Sequence, residues 1–588
     1  MKFLKYIVPS LMLSIGLSSC DDIFRDAPND KLSPDVIWEN EILLNGYVLP
    51  WYNGMDNGFS TLVTTIMSGL GSEYEPWYGD QLTVGKRSWY QTDYGNILKS
   101  QQSMITTRGR TKWISAYTEI ASINTLLENE NKLVPGIRDR VLGEAHFFRA
   151  YYYYKLLRMY GGSLLIDHEF DPLKKEEKFP RASYEEMVRF IADEAEKASW
   201  LLPAKYSDDQ VGRATRGAAL MLKAKTFLWV AGAHFQNQEK SYLGFPDDRS
   251  MEMLDSAAAN YDRVMALNVY DLVQIPAGDR QSIVDAYRNI FLTKNTIESI
   301  LEVQHADDGD IHMANGHKLD RDAAPPSAGG TTAAYNPTQN HVDEYRMANG
   351  KRIKDAGSGY DRNNPYDNRD VRFYANVLYD GAEWRGNTMD LHYETVDGAE
   401  VAGTDLTIYG SSNESGVTRT GYYMAKFLSQ RQVIDNDENY ASSQNCILWR
   451  YAELLLDYAE IDFKKGRVND ALAKVNMIRE RVHEPALTSV TWDDITNERR
   501  VELAFEKETY WDALRYNEAE KRMTGTTNPL YGVKIVYDAN GNKKITNPVV
   551  NGRNTVVRYF RPRQYYYPIP WDDIRYHEIE QNPEWVEM

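Results

Sequence analysis

The stretch CILWRYAELLLDYAEIDFKKGRVNDALAKVNMIRERV, residues 446–482, decides the fold class. Ile447, Tyr451, Leu454, Leu455 and Tyr458 recur at i, i+4, i+7, i+8 and i+11, which predicts one apolar face of a helix. Leu448, Ala452, Leu456 and Ala459 add a second row and leave Arg450, Glu453, Asp457 and Glu460 as a polar stripe, so this helix is expected to be covered on two sides. Lys464, Lys465 and Gly466 supply cationic last-turn residues and a glycine stop, and the next pattern, Ala471, Leu472, Val475, Ile478 and Val482, begins almost at once. So short a connection predicts an antiparallel helical hairpin. Thr491, with Asp494 three residues on, predicts the capped start of a third helix reaching toward Arg515. It carries Glu498, Arg499, Arg500 and Glu502 beside Val501, Ala504 and Phe505, and charges this dense beside an apolar row predict a solvated or ion-paired face rather than a catalytic one.

Around this centre the chain has 588 residues and 42% hydrophobic content, sufficient for a sizeable core. Lys and Arg number 67 against 85 Asp and Glu, giving a net charge of −18 that repels phosphate backbones and sets nucleic acid aside. The 41 Tyr and 13 Trp outnumber the 17 Phe, so the rings mostly carry a polar handle.

Lys2 and Lys5 precede an apolar run from Tyr6 to Leu17 that is too short to span a bilayer and ends in Leu17-Ser18-Ser19-Cys20. That ending resembles the lipobox of bacterial lipoproteins, in which the cysteine is lipidated after the leader is cleaved. Residues 1–19 therefore read as a signal peptide, Cys20 as the lipidation site and 20–34 as an acidic tether with Pro28 and Pro34. Cys446, the second of two cysteines, reads as a small core residue.

Helical patterns recur at 112–128 and 139–160, the latter with four consecutive tyrosines, Tyr151 to Tyr154, that point all round a helix and are expected to pack. A capping box at Ser183 and Glu186 opens a third, Thr215 an alanine-rich fourth, and 251–267 is helical again. Helix pairs with short turns suggest stacked hairpins of the tetratricopeptide kind. From about His305 to Asn445 the composition shifts to Gly, Asn, Asp, Thr and Pro, predicting loops and short strands, with a long irregular segment at 321–340. Val533–Tyr537 and Lys543–Thr546 flank Asn540-Gly541, a hairpin signal.

Several segments together resemble the SusD-like (RagB/SusD) family of outer-membrane lipoproteins of Bacteroidetes: Gly143-Glu144-Ala145 through Arg149-Ala150-Tyr151-Tyr152 to Gly161-Gly162; Gly212-Arg213-Ala214-Thr215-Arg216-Gly217; Leu448-Trp449-Arg450-Tyr451-Ala452-Glu453; Glu498-Arg499-Arg500-Val501-Glu502-Leu503-Ala504-Phe505-Glu506; and Tyr567-Pro568-Ile569-Pro570. Lys507 departs from that pattern, where the family usually has glycine, and so does Thr509, where arginine is common. The resemblance implies a mainly α fold, a tetratricopeptide-like helical-hairpin scaffold with an irregular loop-rich lobe containing short strands. On this reading 35–588 is one domain, with the scaffold at about 100–300 and 446–520 and the ligand lobe at about 60–96, 305–445 and 525–588. It also implies a surface glycan-binding protein partnered by a SusC-like TonB-dependent transporter and held by an outer-membrane lipid anchor; relatives that capture peptides or other nutrients belong to the same architecture.

Sugar recognition needs flat aromatic faces for the C–H side of pyranose rings and polar groups for hydroxyls. The loop from Gly71 to Asn96 offers Trp77, Tyr78, Trp89 and Tyr90 with Asn96 and Asp80 among the polar residues; Tyr335 and Trp384 are further candidates. His305, Asp307, Asp308, Asp310, His312 and His317 fit no metal-ligand spacing and read as a solvated acidic loop, so no metal or cofactor is called. No nucleophile elbow, phosphate-cradling glycine loop or His-Glu-x-x-His run occurs. The expectation is a non-catalytic binding protein that captures glycan for uptake. The alternatives are peptide capture by the same architecture, a surface glycoside hydrolase and a scaffold that binds only protein.

Overall fold

The computed structural model describes residues 34–55, 80–83, 102–171, 174, 177–306, 316–317, 319–330, 333, 335–407, 416–430, 442–550 and 558–587. The helical scaffold comprises α1 (Glu41–Asn53), α2 (Gln102–Glu128), α3 (Arg138–Tyr160), α4 (Tyr184–Leu201), α5 (Arg216–Val230), α6 (Ser250–Met265), α7 (Arg280–Leu292), α8 (Tyr451–Lys464), α9 (Val468–Arg481), α10 (Trp492–Glu502), α11 (Glu508–Arg515) and α12 (Trp571–His577). Successive helices pack pairwise, α3 on α4, α4 on α5, α5 on α6 and α8 on α9, the arrangement that tetratricopeptide-like patterning calls for. The capping boxes at Ser183 and Thr491 form as the sequence predicts. Among the described residues no helix is long and apolar enough to cross a membrane.

α3 is the central element of the largest core. Tyr151 to Tyr154 are all buried, and two of their hydroxyls have backbone partners: Tyr152 donates to Trp51 O at 2.6 Å, and Tyr153 donates to Ile166 O at 3.0 Å while accepting from Ile166 N at 2.8 Å. A tyrosine-rich helix can close a core in this way because a phenol hydroxyl reaches backbone groups at the edge of the packing.

The lobe has its own core, including Tyr287, Phe373, Trp384 and Tyr422, and short strands: β1 (Leu82–Thr83), β2 (Ser299–Val303), β3 (Asn336–Pro337), β4 (Glu383–Trp384), β5 (Asn387–Thr388), β6 (Tyr393–Val396), β7 (Ala399–Ala402), β8 (Cys446–Arg450), β9 (Lys534–Tyr537) and β10 (Lys543–Thr546). The last two form the hairpin that Asn540-Gly541 signals, and they join β6 and β7 in a four-stranded sheet of order β10-β9-β6-β7, with β9 parallel to β6. Residues 319–323 and 326–328 are short helical turns inside the segment expected to be irregular.

One expectation fails at the start of the deciding stretch. Residues 446–450 are not the first turn of a helix but β8, paired antiparallel with β2 from Cys446 opposite Val303 to Arg450 opposite Ser299. A five-residue apolar run with Ile and Trp satisfies either period, and the partner strand, about 150 positions earlier, supplies the hydrogen bonds that decide it. The charge run on α10 takes the ion-paired of its two expected forms, and it is buried: Glu498, Arg499, Arg500 and Glu502 are 2%, 3%, 8% and 0% exposed. Glu502 faces Arg372 at 3.0 Å and Arg450 at 2.8 Å and also pairs with Arg481, while Glu498 takes Arg372 at 2.5 Å and Arg479 at 3.0 Å. Arg450 further holds Glu298 and Glu506, both at 2.7 Å. Through Arg450 at the end of β8, this set of charges fastens α9 and α10 to β8, to Glu298 beside β2 and to Arg372 of the lobe. Burial alone disfavours each ion, and the mutual pairing offsets that cost.

Candidate functional site

Cys20, Trp77, Tyr78, Trp89, Tyr90 and Asn96 lie outside the described residues. Tyr335 is half-buried against the lobe core. Trp384 is a correction to the sequence reading: it is 1% exposed, with the guanidinium carbons of Arg288 and Arg385 at 4.9 and 5.6 Å from its ring and its Nε1 buried without an acceptor. It anchors β4 in the lobe core and has no open face for a sugar. The apolar face of a tryptophan stabilises more when buried than when presented, so a lone Trp in a strand is resolved in favour of packing.

Residues 80–83, the described part of the stretch between Tyr78 and Trp89, are firmly held. β1 pairs antiparallel with β3, Leu82 opposite Pro337 and Thr83 opposite Asn336. Arg500, on α10, donates to Asp80 Oδ1 at 2.7 Å and to Glu344 Oε1 at 2.5 Å, and its carbonyl accepts from Gln81 Nε2 at 2.8 Å. Asn528 Nδ2 reaches Asp80 Oδ2 at 3.2 Å, and Thr509 Oγ1 donates to Gln81 Oε1 at 2.7 Å. Burial pushes the Asp80 carboxyl up, but Arg500, Arg522 and Arg558 outweigh it and hold the group at about 2. Thr509 therefore has a local use here: it bonds the side chain of Gln81.

Beside this anchor a polar cleft of about 470 Å³ opens between the lobe and α10, lined by Asn340, Asp343, Glu344, Arg352, Lys354, Asn497, Arg500 and Arg522 among others. Its walls are preset: Arg352 pairs with Asp493 and, at 2.9 Å, with Asp494; Asn340 donates to Pro529 O at 3.0 Å; Asn497 donates to Glu344 O at 3.0 Å. Burial raises Asp343. Such walls offer fixed donors and acceptors suited to hydroxyl groups, and flat rings must come from elsewhere. A second cavity of about 290 Å³, between α2, residues 164–179 and α12, mixes Trp113, Tyr117, Phe170, Phe179 and Tyr576 with Glu169, Asp573 and His577.

Of the His and Asp residues between 305 and 317, Asp307, Asp308, Asp310 and His312 lie outside the described residues, and His305 and His317 are described. His305 and His317 are 7% and 3% exposed, their rings meet edge to face with centroids 4.8 Å apart, and burial drives the His317 ring well below the usual imidazole range. They are packed, not solvated as the sequence reading had it. Arg500, the residue that organises the anchor, was visible in the sequence only as part of a charge run; its partner Asp80 lies 420 positions away.

The helical scaffold with its short-stranded lobe defines the fold class, and comparison with known proteins identifies the family. Residues 297–585 match the model of the SusD family, and residues 55–228 match a model described as starch-binding associating with outer membrane. A SusD-like protein, P38, of Formosa agariphila is 22% identical over 553 residues, covering 92% of this chain and 96% of the relative. A solved SusD-like protein of Bacteroides fragilis superposes with a TM-score of 0.71 at 24% identity, covering 95% of this chain and 100% of that one. Surface glycan-binding protein A of Bacteroides thetaiotaomicron, solved in complex with laminarihexaose, superposes with a TM-score of 0.59 at 16% identity over 92% of this chain and 99% of that one. The chain belongs to the SusD/RagB family.

Proposed function

We propose that this protein is a lipid-anchored surface protein of the outer membrane that binds a glycan and passes it to a TonB-dependent transporter, with no chemistry on the sugar. The observation that carries the reading is the polar cleft beside residues 80–83, whose walls hold fixed donors and acceptors; residues 80–83 belong to the same stretch of sequence as Trp77, Tyr78, Trp89, Tyr90 and Asn96. Rings from that segment would cover the C–H faces of a sugar, and Asn340, Asn497 and the cleft arginines would take its hydroxyls. Family membership and the glycan-bound relative support the ligand class. The Leu17-Ser18-Ser19-Cys20 sequence supports the anchor, and membership of the family supports the partner transporter.

The test is affinity electrophoresis of the chain lacking residues 1–20 in gels containing a panel of polysaccharides, beside Trp77→Ala and Trp89→Ala. Retardation by one glycan, lost in either tryptophan variant, is expected. A wild-type chain slowed by no glycan, yet binding peptides, would replace this reading with peptide capture.

A further inference from the structure

Outside the cleft and the aromatic segment, two carboxylates and an imidazole converge at the base of the four-stranded sheet. Asp380 follows the lobe core, Asp390 follows β5, and His392 immediately precedes β6. One ligand atom from each lies within 4.8 Å of the other two. His392 Nδ1 is 2.8 Å from Asp380 Oδ1 and 3.5 Å from Asp390 Oδ1, so both carboxylates address the same ring nitrogen. We propose that Asp380, Asp390 and His392 form a binding site for a divalent transition cation of the zinc class, an inference independent of the glycan reading.

Three features beyond proximity support it. Asp390 Oδ1 is sealed from solvent and accepts no hydrogen bond, whereas its partner oxygen Oδ2 accepts from Thr404 N at 2.7 Å. The Asp390 side chain as a whole is 35% exposed, so the cost of a missing donor falls on this one oxygen, and a cation would remove it. Second, the ligands are oriented before any ion arrives: Leu391 N donates to Asp380 Oδ1 at 3.0 Å, and the His392 ring lies edge-on to Tyr537 of β9 with centroids 4.9 Å apart. Glu394, largely exposed, stands 4.0 Å from His392 Nε2, beyond hydrogen-bond distance. Third, the backbone beside the site is kept clear. A Cβ on Gly403 would lie 1.9 Å from Asp390 Oδ1, so only glycine lets this carboxylate sit where it does.

The spacing suits the ion. Zinc bonds of about 2.0–2.2 Å to nitrogen and oxygen place neighbouring tetrahedral ligands about 3.4 Å apart. The Asp390 contact already matches, and the Asp380 contact needs to open by about half an ångström. An imidazole among the donors favours zinc over calcium or magnesium, which take oxygen sets. Three protein ligands leave a fourth position for water. A bound ion would fasten the turn at 403–405, the segment 380–390 and the sheet to one another, stiffening the outer lobe.

The experiment is a zinc titration of the untagged chain lacking residues 1–20, after EDTA treatment and dialysis, followed by calorimetry and by the visible spectrum on replacing zinc with cobalt. The expected result is one ion per chain, cobalt bands typical of low coordination number, and a higher melting temperature with zinc than with EDTA. Asp390→Asn and His392→Gln should each weaken zinc binding by at least about tenfold and lose the zinc-dependent rise in melting temperature, while melting like the wild type in EDTA. No zinc binding by the wild type, or zinc binding unchanged in both variants, overturns the assignment. Stabilisation by calcium alone overturns the choice of ion. Loss of folding in a variant leaves the wild-type titration and cobalt spectrum to decide.

Discussion

Replacing Arg500 with Gln tests whether the anchor at residues 80–83 is held electrostatically. Arg500 is 8% exposed and bonds both Asp80 and Glu344, so the change leaves two nearly buried carboxylates short of their main cation. Asp80 is held near 2 in the folded protein against an ordinary value of 3.8. Close to two units at about 1.4 kcal/mol each give roughly 2.5 kcal/mol of stability at neutral pH. Because the folded value is the lower one, this stability is complete above pH 4 and fades as pH falls through about 2. Arg522 and Arg558 retain part of the field at Asp80, while Glu344, also lowered against its burial by Arg500, adds its own loss. The expected penalty is about 2–4 kcal/mol at pH 7, falling by roughly half at pH 3. Urea unfolding of the mature chain at both pH values, read by tryptophan fluorescence and circular dichroism, measures it. A penalty below about 1 kcal/mol at pH 7, or one that does not shrink on acidification, refutes the electrostatic account. The folded variant should also bind its glycan more weakly, because Arg500 lines the proposed cleft.

Glu502→Gln removes the shared partner of Arg372, Arg450 and Arg481 and should cost about 3–5 kcal/mol in denaturant unfolding; an effect near zero would show the network to be dispensable. Trp384→Ala should destabilise by about 3–5 kcal/mol through the cavity it leaves, yet keep the glycan affinity of the folded protein unchanged; a selective loss of affinity would return Trp384 to the binding site. Tyr153→Phe removes a hydroxyl that both donates to and accepts from Ile166, and a loss of about 1–3 kcal/mol is expected by the same assay. Lys507 has φ of 74°, in the left-handed region, so Lys507→Gly should stabilise by about 1 kcal/mol, and a destabilised variant would mean that its side-chain contacts outweigh backbone strain.

The sequence by itself determined the helices whose partners are local. The 3.6-residue periodicity of α8 and α9, the capping boxes at Ser183 and Thr491 and the Asn540-Gly541 hairpin signal concern residues within a few positions of one another, and each appears in the structure. The family pattern at Phe505 to Lys507 was legible too: the position where glycine is usual does take the left-handed conformation that glycine prefers, and Lys507 adopts it nonetheless. What only the tertiary structure decided were choices between local readings of equal merit. Cys446 to Arg450 became a strand because β2 was available to pair with it, and Trp384 became core because two arginines and the lobe interior enclose it. Arg500 became an anchor because folding brings Asp80 across 420 positions of chain, and the convergence of Asp380, Asp390 and His392 depends on the path of the loop that carries them to the sheet. Hydrophobic periodicity is set by which face of an element is buried and can be read from neighbours in sequence; the pairing of charges, strands and ligands is set by distances in space, which sequence spacing does not encode.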